Sequence, residues 1–214
     1  TDVNHFVFLD NNWTDILWGS AGSTQNDISL SGRNEKMSYR LSLGYLFDEG
    51  TLRWGNNTNK RYNMRLNNEF KVTDWFNIES VISFALQDQV VPTMIANTLG
   101  QGYPQPGFPS ATLTGKPYAW GGQYTPNWFA ELGGDNNLKV RSTNISETFR
   151  LDLSKKLQWV STLGFNTSTA IRDMQQNTID WFNYTGDLLV QQNPTQANSY
   201  YQKSTAVTDF YSAA

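Results

Sequence analysis

Apolar and polar residues alternate along most of the chain with a period of two. From Met37 to Phe47 the odd positions are apolar, whereas most of the even positions are polar. Further segments repeat this alternation, which is typical of β-strands with one apolar and one polar face. The pattern predicts seven strands, at residues 25–33, 37–47, 60–71, 75–87, 139–153, 157–171 and 199–212.

The predicted connections between these strands alternate in length. Short turns at residues 34–36, 72–74 and 154–156 alternate with long loops at residues 48–58, 88–138 and 172–198. Outer-membrane barrels place tight turns at one rim and long loops at the other. Soluble β-sandwiches mix loop lengths at both ends, because their Greek-key connections cross between sheets. The chain is therefore predicted to be all-β, with an antiparallel up-and-down transmembrane β-barrel architecture.

Seven strands are a poor number for a closed barrel of this kind. Bacterial single-chain barrels have an even number of strands and pair the first with the last, so that no edge is left in lipid. We therefore expect the chain to form part of a larger barrel. Polar residues interrupt the predicted lipid-facing side at Asn68, Ser80, Glu147 and Ser161. Glu147 is tolerable there only near the outer end of its strand or at a β-bulge.

Composition narrows the range of functions. The chain has 214 residues, a formal net charge of -3, one histidine and no cysteine, and 14% of its residues are aromatic. Its near-neutral charge argues against nucleic-acid binding, and the lack of cysteine excludes thiolate metal sites. No hydrolase, zinc-peptidase or phosphate-loop motif is present. We therefore expect no enzyme activity, no bound metal and no cofactor.

Three amphipathic segments carry a resemblance to a known family. Residues 25–32 read QNDISLSG, residues 39–45 read YRLSLGY and residues 61–67 read RYNMRLN. In order and spacing they resemble the early barrel strands of the SusC-like (RagA-type) TonB-dependent outer-membrane transporters. The resemblance covers residues 12–87. Arg33 stands where a second glycine is usual, and Thr14 separates the usual Trp-Asp pair, which leaves the subfamily open.

This resemblance implies a nutrient importer of the bacterial outer membrane that crosses the lipid many times. Family members are several times longer, with a plug domain inside about 22 strands. No plug domain can be read in this sequence, so we expect an internal piece of such a transporter. The complete molecule would import oligosaccharides or oligopeptides with a SusD-like surface lipoprotein. It would contact the TonB complex through a missing amino-terminal region.

The long loop at residues 88–138 supplies the candidate substrate-binding residues. Aromatic rings can stack on sugars or pack against peptide side chains. The candidate rings are Tyr118, Trp120, Tyr124 and Trp128. Alternatively, these rings fold the loop upon itself and contact no ligand.

Charged residues on the polar side of the early strands form a second candidate group. Arg40, Arg61, Arg65 and Glu69 are predicted to face the lumen of the barrel. There they would hold a plug or contact a polar substrate, or they would simply form a solvated wall.

Two other architectures remain open from the sequence. A secreted carbohydrate-binding β-sandwich could use Trp120, Tyr124 and Trp128 as a stacking platform, and a closed barrel of about eight strands could stand alone. A sandwich would bury one particular set of apolar side chains between two layers, whereas a barrel would turn them to lipid. That set is Tyr39, Leu41, Leu43, Met64 and Leu66.

Overall fold

The structure is a computed structural model that describes residues 9–100, 104–190 and 199–214. Strands make up most of this part of the chain, and the helices are short. In chain order the elements are helix α1 (Trp13–Leu17), strands β1 (Ser23–Arg33), β2 (Met37–Glu49), β3 (Thr58–Thr73) and β4 (Phe76–Pro92), helix α2 (Ile95–Gly100), strands β5 (Ala119–Trp120) and β6 (Gln123–Tyr124), helix α3 (Pro126–Leu132), and strands β7 (Asp135–Ser154), β8 (Leu157–Gln176), β9 (Trp181–Phe182), β10 (Leu188–Val190) and β11 (Tyr200–Ala213).

The seven long strands form one antiparallel sheet. Their order in the sheet, β1-β2-β3-β4-β7-β8-β11, is their order in the chain. Each strand pairs with its neighbour in antiparallel register, and the two edge strands do not pair with each other. The predicted up-and-down architecture is confirmed. The alternative of a small closed barrel is wrong, because the edge strands β1 and β11 do not pair with each other.

Several strands extend beyond the predicted segments, mainly at the end that carries the long connections. β4 continues to Pro92 and β7 begins at Asp135, so the connection between them is shorter than the predicted loop at 88–138. At these strand ends both faces carry polar residues, and the alternation that marks a strand in the sequence disappears. Residues 101–103 and 191–198 of the predicted long loops lie outside the described residues.

The short turns lie together at the opposite rim. Between β1 and β2, Asn34 Oδ1 accepts hydrogen bonds from the backbone N–H groups of Lys36 and Met37, at 2.9 and 2.7 Å. Between β3 and β4, Lys71 Nζ lies 2.7 Å from a carboxylate oxygen of Asp74. These local contacts close tight turns without help from distant parts of the chain.

Apolar side chains form an oblique band across one face of the sheet. On β2 the band is centred at Leu43, whose ladder row crosses the sheet to Thr167 of β8. On β8 the band is centred at Ser161, six residues from Thr167. Six residues span about 20 Å along a strand, and four strand spacings span about 19 Å. The band therefore crosses the strands at roughly 45°, as expected when barrel strands tilt by that angle through a membrane.

The apolar residues of this band are not buried under a second layer. Leu43 is 46% exposed and Met64 is 38% exposed. The described chain has one large sheet and two sheets of two strands each, so no second large sheet covers the band. The β-sandwich alternative is therefore wrong. Within the described residues, no helix is long and apolar enough to span a membrane.

Candidate functional site

The buried apolar core lies at the rim that carries the long connections. Helix α1 packs there against the described residues of segments 50–57, 93–134 and 177–190, and we call this assembly the outer cap. All hydrophobic residues that are buried in the described chain belong to it: Trp13, Leu17, Leu52, Met94, Phe108, Tyr118, Ala119, Phe129, Ala130, Ile179 and Trp181. The sheet thus supplies a wall, and the outer cap supplies the core.

Helix α1 anchors the start of the described chain in the outer cap. Asn12 caps the helix, because its side-chain oxygen accepts hydrogen bonds from the backbone N–H groups of Thr14 and Asp15. Trp13 and Leu17, one helical turn apart, enter the same apolar cluster. The sequence pattern did not predict this helix, because a segment of five residues is too short to show a helical period. The Asn12 cap was the signal that could have found it.

A second apolar cluster forms around Trp181. The Trp181 ring lies 5.0 Å from the Phe129 ring and 4.9 Å from the Tyr124 ring, measured between centroids. Phe129 comes from α3, which begins at Pro126, a residue whose fixed φ suits the first helical position. Strand β9 brings Trp181 to the cluster from a separate connection. The outer cap is thus held by rings from distant parts of the chain.

Three of the four aromatic residues that were predicted to bind substrate pack within the two apolar clusters of the outer cap. Tyr118 is buried against Phe108, with ring centroids 4.9 Å apart. Trp128 Nε1 donates a hydrogen bond to the Ser110 carbonyl at 2.8 Å, and its ring packs beside the second cluster together with Tyr124. Burial raises the pKa of both the Tyr118 and the Tyr124 hydroxyls, so the two groups stay neutral.

Trp120 differs from the other three, because 45% of its surface is exposed. It lies on the hairpin of β5 and β6, whose turn consists of Gly121 and Gly122 with φ of 60° and 81°. Positive φ at both turn residues is the geometry of a tight hairpin turn and favours glycine. At the base of the hairpin, Thr125 Oγ1 donates to the Tyr118 carbonyl at 2.9 Å. The outer cap therefore presents the Trp120 indole on a short, anchored hairpin.

The four charged residues predicted to face the lumen share the polar face of the sheet. In the ladder of β2 and β3, Arg40, Arg61, Arg65 and Glu69 are paired with Asn67, Leu46, Ser42 and Ser38, respectively. Paired residues of an antiparallel ladder lie on the same face, so all four side chains are on the side opposite Leu41 and Leu43.

Three arginines on this polar face lack acidic partners, whereas Arg150 on the same face pairs with Glu79 at 2.8 Å. Among the described residues, no carboxylate oxygen lies within 4.0 Å of a side-chain nitrogen of Arg40, Arg61 or Arg65. Arg40 and Arg65 line one open depression together with Asp27 and Asn63. This part of the wall can therefore attract an anionic or hydrogen-bonding group.

Three of the four polar residues on the apolar face are neighbours in one row, and the fourth, Ser161, pairs with Phe149 one row away. Asn68 pairs with Ser80, and Ser80 pairs with Glu147, in three adjacent strands. The register of β7 with β4 is continuous at Glu147, and its register with β8 shifts only between Asp152 and Ser154. Glu147 therefore sits neither at a bulge nor near the outer end of its strand. Its charge is met by Ser80 instead.

Comparison with known proteins gives relatives of one kind. No protein-family model matches the chain. The chain is 29% identical over 166 residues to a TonB-dependent receptor of Formosa agariphila, an alignment that covers 72% of this chain and 15% of the receptor.

Solved structures with a similar fold include the RagAB peptide transporter, at a TM-score of 0.65 and 20% identity over 83% of this chain and 21% of that chain. They also include the RagAB peptide importer in its closed-closed state, at 0.60 and 21% identity over 83% and 20% of the two chains. Its open-open state gives 0.61 and 20% identity over 79% and 20%.

These findings define the class of the protein. The open antiparallel sheet, with its oblique apolar band, is a segment of an up-and-down transmembrane β-barrel. Within that class, the chain is similar in sequence to a TonB-dependent receptor and in fold to the RagAB structures. The chain spans about 15% of the length of the curated relative it matches.

Proposed function

We propose that this chain forms wall strands and outer loops of a TonB-dependent nutrient importer in the bacterial outer membrane. One observation carries the proposal: the sheet exposes an apolar band on one face and arginines on the other, while the buried core is confined to the outer cap. A water-soluble domain would bury such a band. The part played by this chain is binding and enclosure, with no bond made or broken.

The substrate class that we propose is an oligopeptide or an oligosaccharide. The structural relatives are a peptide transporter and a peptide importer, which supports the peptide. The exposed Trp120 supports either substrate, because an indole face stacks on sugar rings and packs against peptide side chains equally well. Tyr118, Tyr124 and Trp128 act here by holding the hairpin that presents Trp120, and Arg40, Arg61, Arg65 and Glu69 line the aqueous lumen.

The partners that we propose follow from the same family resemblance. A SusD-like surface lipoprotein meets the outer cap, and outer-membrane lipid covers the apolar band. The TonB complex supplies energy through parts of the receptor outside this chain.

The test uses the full-length receptor in cells with and without TonB. We expect the receptor to fractionate with outer membranes and the uptake of a labelled oligopeptide or oligosaccharide to require TonB. Trp120→Ala should raise the half-saturation concentration about three- to tenfold, because one stacking ring contributes about 0.5 to 1.5 kcal/mol. Trp159→Ala is the matched control, since Trp159 is 52% exposed but lies beside a short turn at the inner rim.

Two results would contradict the proposal. One is a receptor that stays monomeric in buffer without detergent. The other is uptake that continues unchanged in cells without TonB.

A further inference from the structure

We propose that the outward face of this sheet binds phosphate groups of outer-leaflet lipid headgroups through Lys60, Lys139 and Arg141. This inference rests on the membrane location given in the proposed function. It assigns a ligand to a part of the wall that neither substrate nor plug can reach.

The three cationic side chains lie on the same face as the apolar band. Lys60 pairs with Phe47 on one side and Asp88 on the other, and Asp88 pairs with Lys139 in the next ladder. Arg141 pairs with Leu86 of the band. All three therefore point away from the polar face that carries Arg40 and Arg65.

Their positions along the strands place Lys60 and Arg141 beyond the apolar band, and Lys139 lies two residues further out than Arg141 on β7. The rings of Tyr45 and Tyr62 lie 5.0 Å apart, tilted by 39°, at its outer edge, where interfacial aromatic residues are typical. Lys60 is two residues beyond Tyr62 on β3, and Arg141 is four residues beyond Ile145, the last apolar residue of the band on β7. Two and four residues are about 7 and 13 Å along a strand. Lipid headgroups occupy this layer.

The acidic residues at this level leave the cations incompletely neutralised. Asp88 and Glu49 lie on the same face as the three cations. Among the described residues, one ion pair joins these carboxylates to the cations, between Lys139 Nζ and Asp88 at 3.8 Å. No described carboxylate is within 4.0 Å of the Lys60 or Arg141 side-chain nitrogens. Asp173 pairs with Lys203 at 3.4 Å and its carboxylate also attracts the Lys139 ammonium, so Lys60 and Arg141 are the cations without a carboxylate partner among the described residues.

The geometry suits a phosphate better than another anion. Lys60 Nζ lies 5.6 Å from the centroid of the Phe47 ring. The ring therefore holds the ammonium close to the aromatic residues at the outer edge of the apolar band. Arg141 can offer two parallel N–H donors to phosphate oxygens. A phosphate carried by a lipid headgroup meets the outer side of the wall at this height, whereas a peptide carboxylate reaches the lumen or the outer cap.

The test compares two triple variants of the full-length receptor in detergent. Lys60→Ala/Lys139→Ala/Arg141→Ala removes three positive charges from the outward face, and Arg40→Ala/Arg61→Ala/Arg65→Ala removes three from the polar face. The probes are phosphorylated lipopolysaccharide, the same glycolipid after phosphatase treatment, and inorganic phosphate. Near-native migration on unheated gels shows that each variant is folded. The single variant Arg141→Gln is included in case the outward triple variant does not fold.

We expect the outward triple variant to bind phosphorylated lipopolysaccharide at least about tenfold more weakly than the parent, because each cation near a lipid surface contributes about 1 kcal/mol. The polar-face triple variant should bind like the parent, and Arg141→Gln should fall between them. Phosphatase treatment should abolish the difference between parent and outward variant, and added salt should reduce it.

Equal weakening in both triple variants would overturn the proposal, because net charge alone would then explain binding. Unchanged binding in the outward variant and in Arg141→Gln would overturn it as well. Competition by inorganic phosphate at micromolar concentration would replace the lipid headgroup with a free phosphate ion as the ligand. Import is measured separately, so a receptor that fails to import but shows this pattern would contradict the transport function alone.

Discussion

Ser80 Oγ donates a hydrogen bond of 2.5 Å to Glu147 Oε2 across the ladder of β4 and β7, on the face of the sheet that carries the apolar band. Their neighbours on this face include Ile78, Ile82 and Phe149. A carboxylate in such surroundings loses its hydration, so the hydroxyl is the group that compensates for part of the loss.

Removing the Ser80 hydroxyl alone should therefore lower the stability of the sheet more than removing both the hydroxyl and the Glu147 carboxylate. We expect Ser80→Ala to lower the free energy of unfolding by about 1 to 3 kcal/mol, because a half-buried carboxylate among apolar side chains is left without its donor. Ser80→Ala/Glu147→Leu should recover most of this loss. The measurement is denaturant unfolding of the full-length receptor in lipid vesicles.

Ser83→Ala serves as the control, since Ser83 is on the same strand but on the polar face, paired with Arg65. It should leave the unfolding free energy within about 0.5 kcal/mol of the parent. A double variant that is less stable than Ser80→Ala would show that the Glu147 side chain is itself favourable at this position.

The stability of the outer cap should depend more on Trp181 than on any other residue. Its side chain is fully buried and contacts the rings of Tyr124 and Phe129, both from segment 93–134. Trp181→Ala should destabilise the outer cap by about 3 to 5 kcal/mol, because it leaves a large cavity. Hydrogen exchange should rise in segments 93–134 and 177–190 and stay unchanged in the sheet.

Trp181→Phe separates packing from hydrogen bonding in the same experiment. The Trp181 Nε1 atom is buried and has no hydrogen-bond partner among the residues that the structure describes. Phenylalanine keeps an aromatic ring and removes an unpaired donor, so it should cost clearly less than alanine. Equal effects of the two variants would be evidence against this account.

Gly134 joins the outer cap to β7 in a conformation that requires glycine. Its φ is 92°, and a Cβ atom added there would lie 2.3 Å from the Gln175 carbonyl oxygen. Gly134→Ala should therefore cost more than the 1 to 3 kcal/mol that is typical of backbone strain alone. Thermal unfolding of the receptor measures the loss.

Gly100→Ala is the corresponding control, because a Cβ atom at Gly100 would meet no atom within 4 Å. It should leave the unfolding temperature nearly unchanged. A loss as large as that of Gly134→Ala would mean that glycine content, and not the close approach to Gln175, sets the effect.

The turn between β9 and β10 should respond to acid. Hydrogen bonds from Asn183 Nδ2 and Thr185 Oγ1, each 2.9 Å, lower the pKa of the Asp187 carboxyl below its usual range. The carboxylate therefore stabilises the turn above its unfolded pKa, and this contribution disappears as the pH falls through the lowered folded value.

Asn183→Ala should move the pKa of Asp187 back towards its usual range. Limited proteolysis of the turn across acidic pH should then show the turn opening at a higher pH in the variant than in the parent. Asp187→Asn should remove the acid-dependent step altogether. An unchanged step in Asp187→Asn would assign the acid response to another group.

The sheet was predictable from sequence because its environment imposes a period of two. Lipid contacts one face and water the other, so the register that pairs Leu43 with Met64 can be anticipated from alternation alone. The same reasoning placed Arg40 and Arg65 on the opposite face. Alternation stops where β4 and β7 rise above the band, and there the strand ends could not be predicted.

The outer cap was not predictable in the same way. Its helices and hairpins are shorter than any period that a sequence pattern can reveal, and rings distant in sequence hold them together. Tyr118 and Trp120 are two residues apart, yet one is buried and the other is exposed. Only the partners that cover Tyr118, chiefly Phe108 and Tyr184, decide this difference, and no local pattern encodes them.

The outer cap also constrains the sequence of events when the protein is assembled. The outer cap contains two apolar clusters, one with Trp13, which precedes the first strand, and one with Trp181, which follows β8. The second cluster cannot form until the chain has been synthesised past β8, because Trp181 supplies the ring that contacts Tyr124 and Phe129. The burial of this cluster must therefore follow the synthesis of six of the seven strands of the large sheet, since β11 alone comes after Trp181.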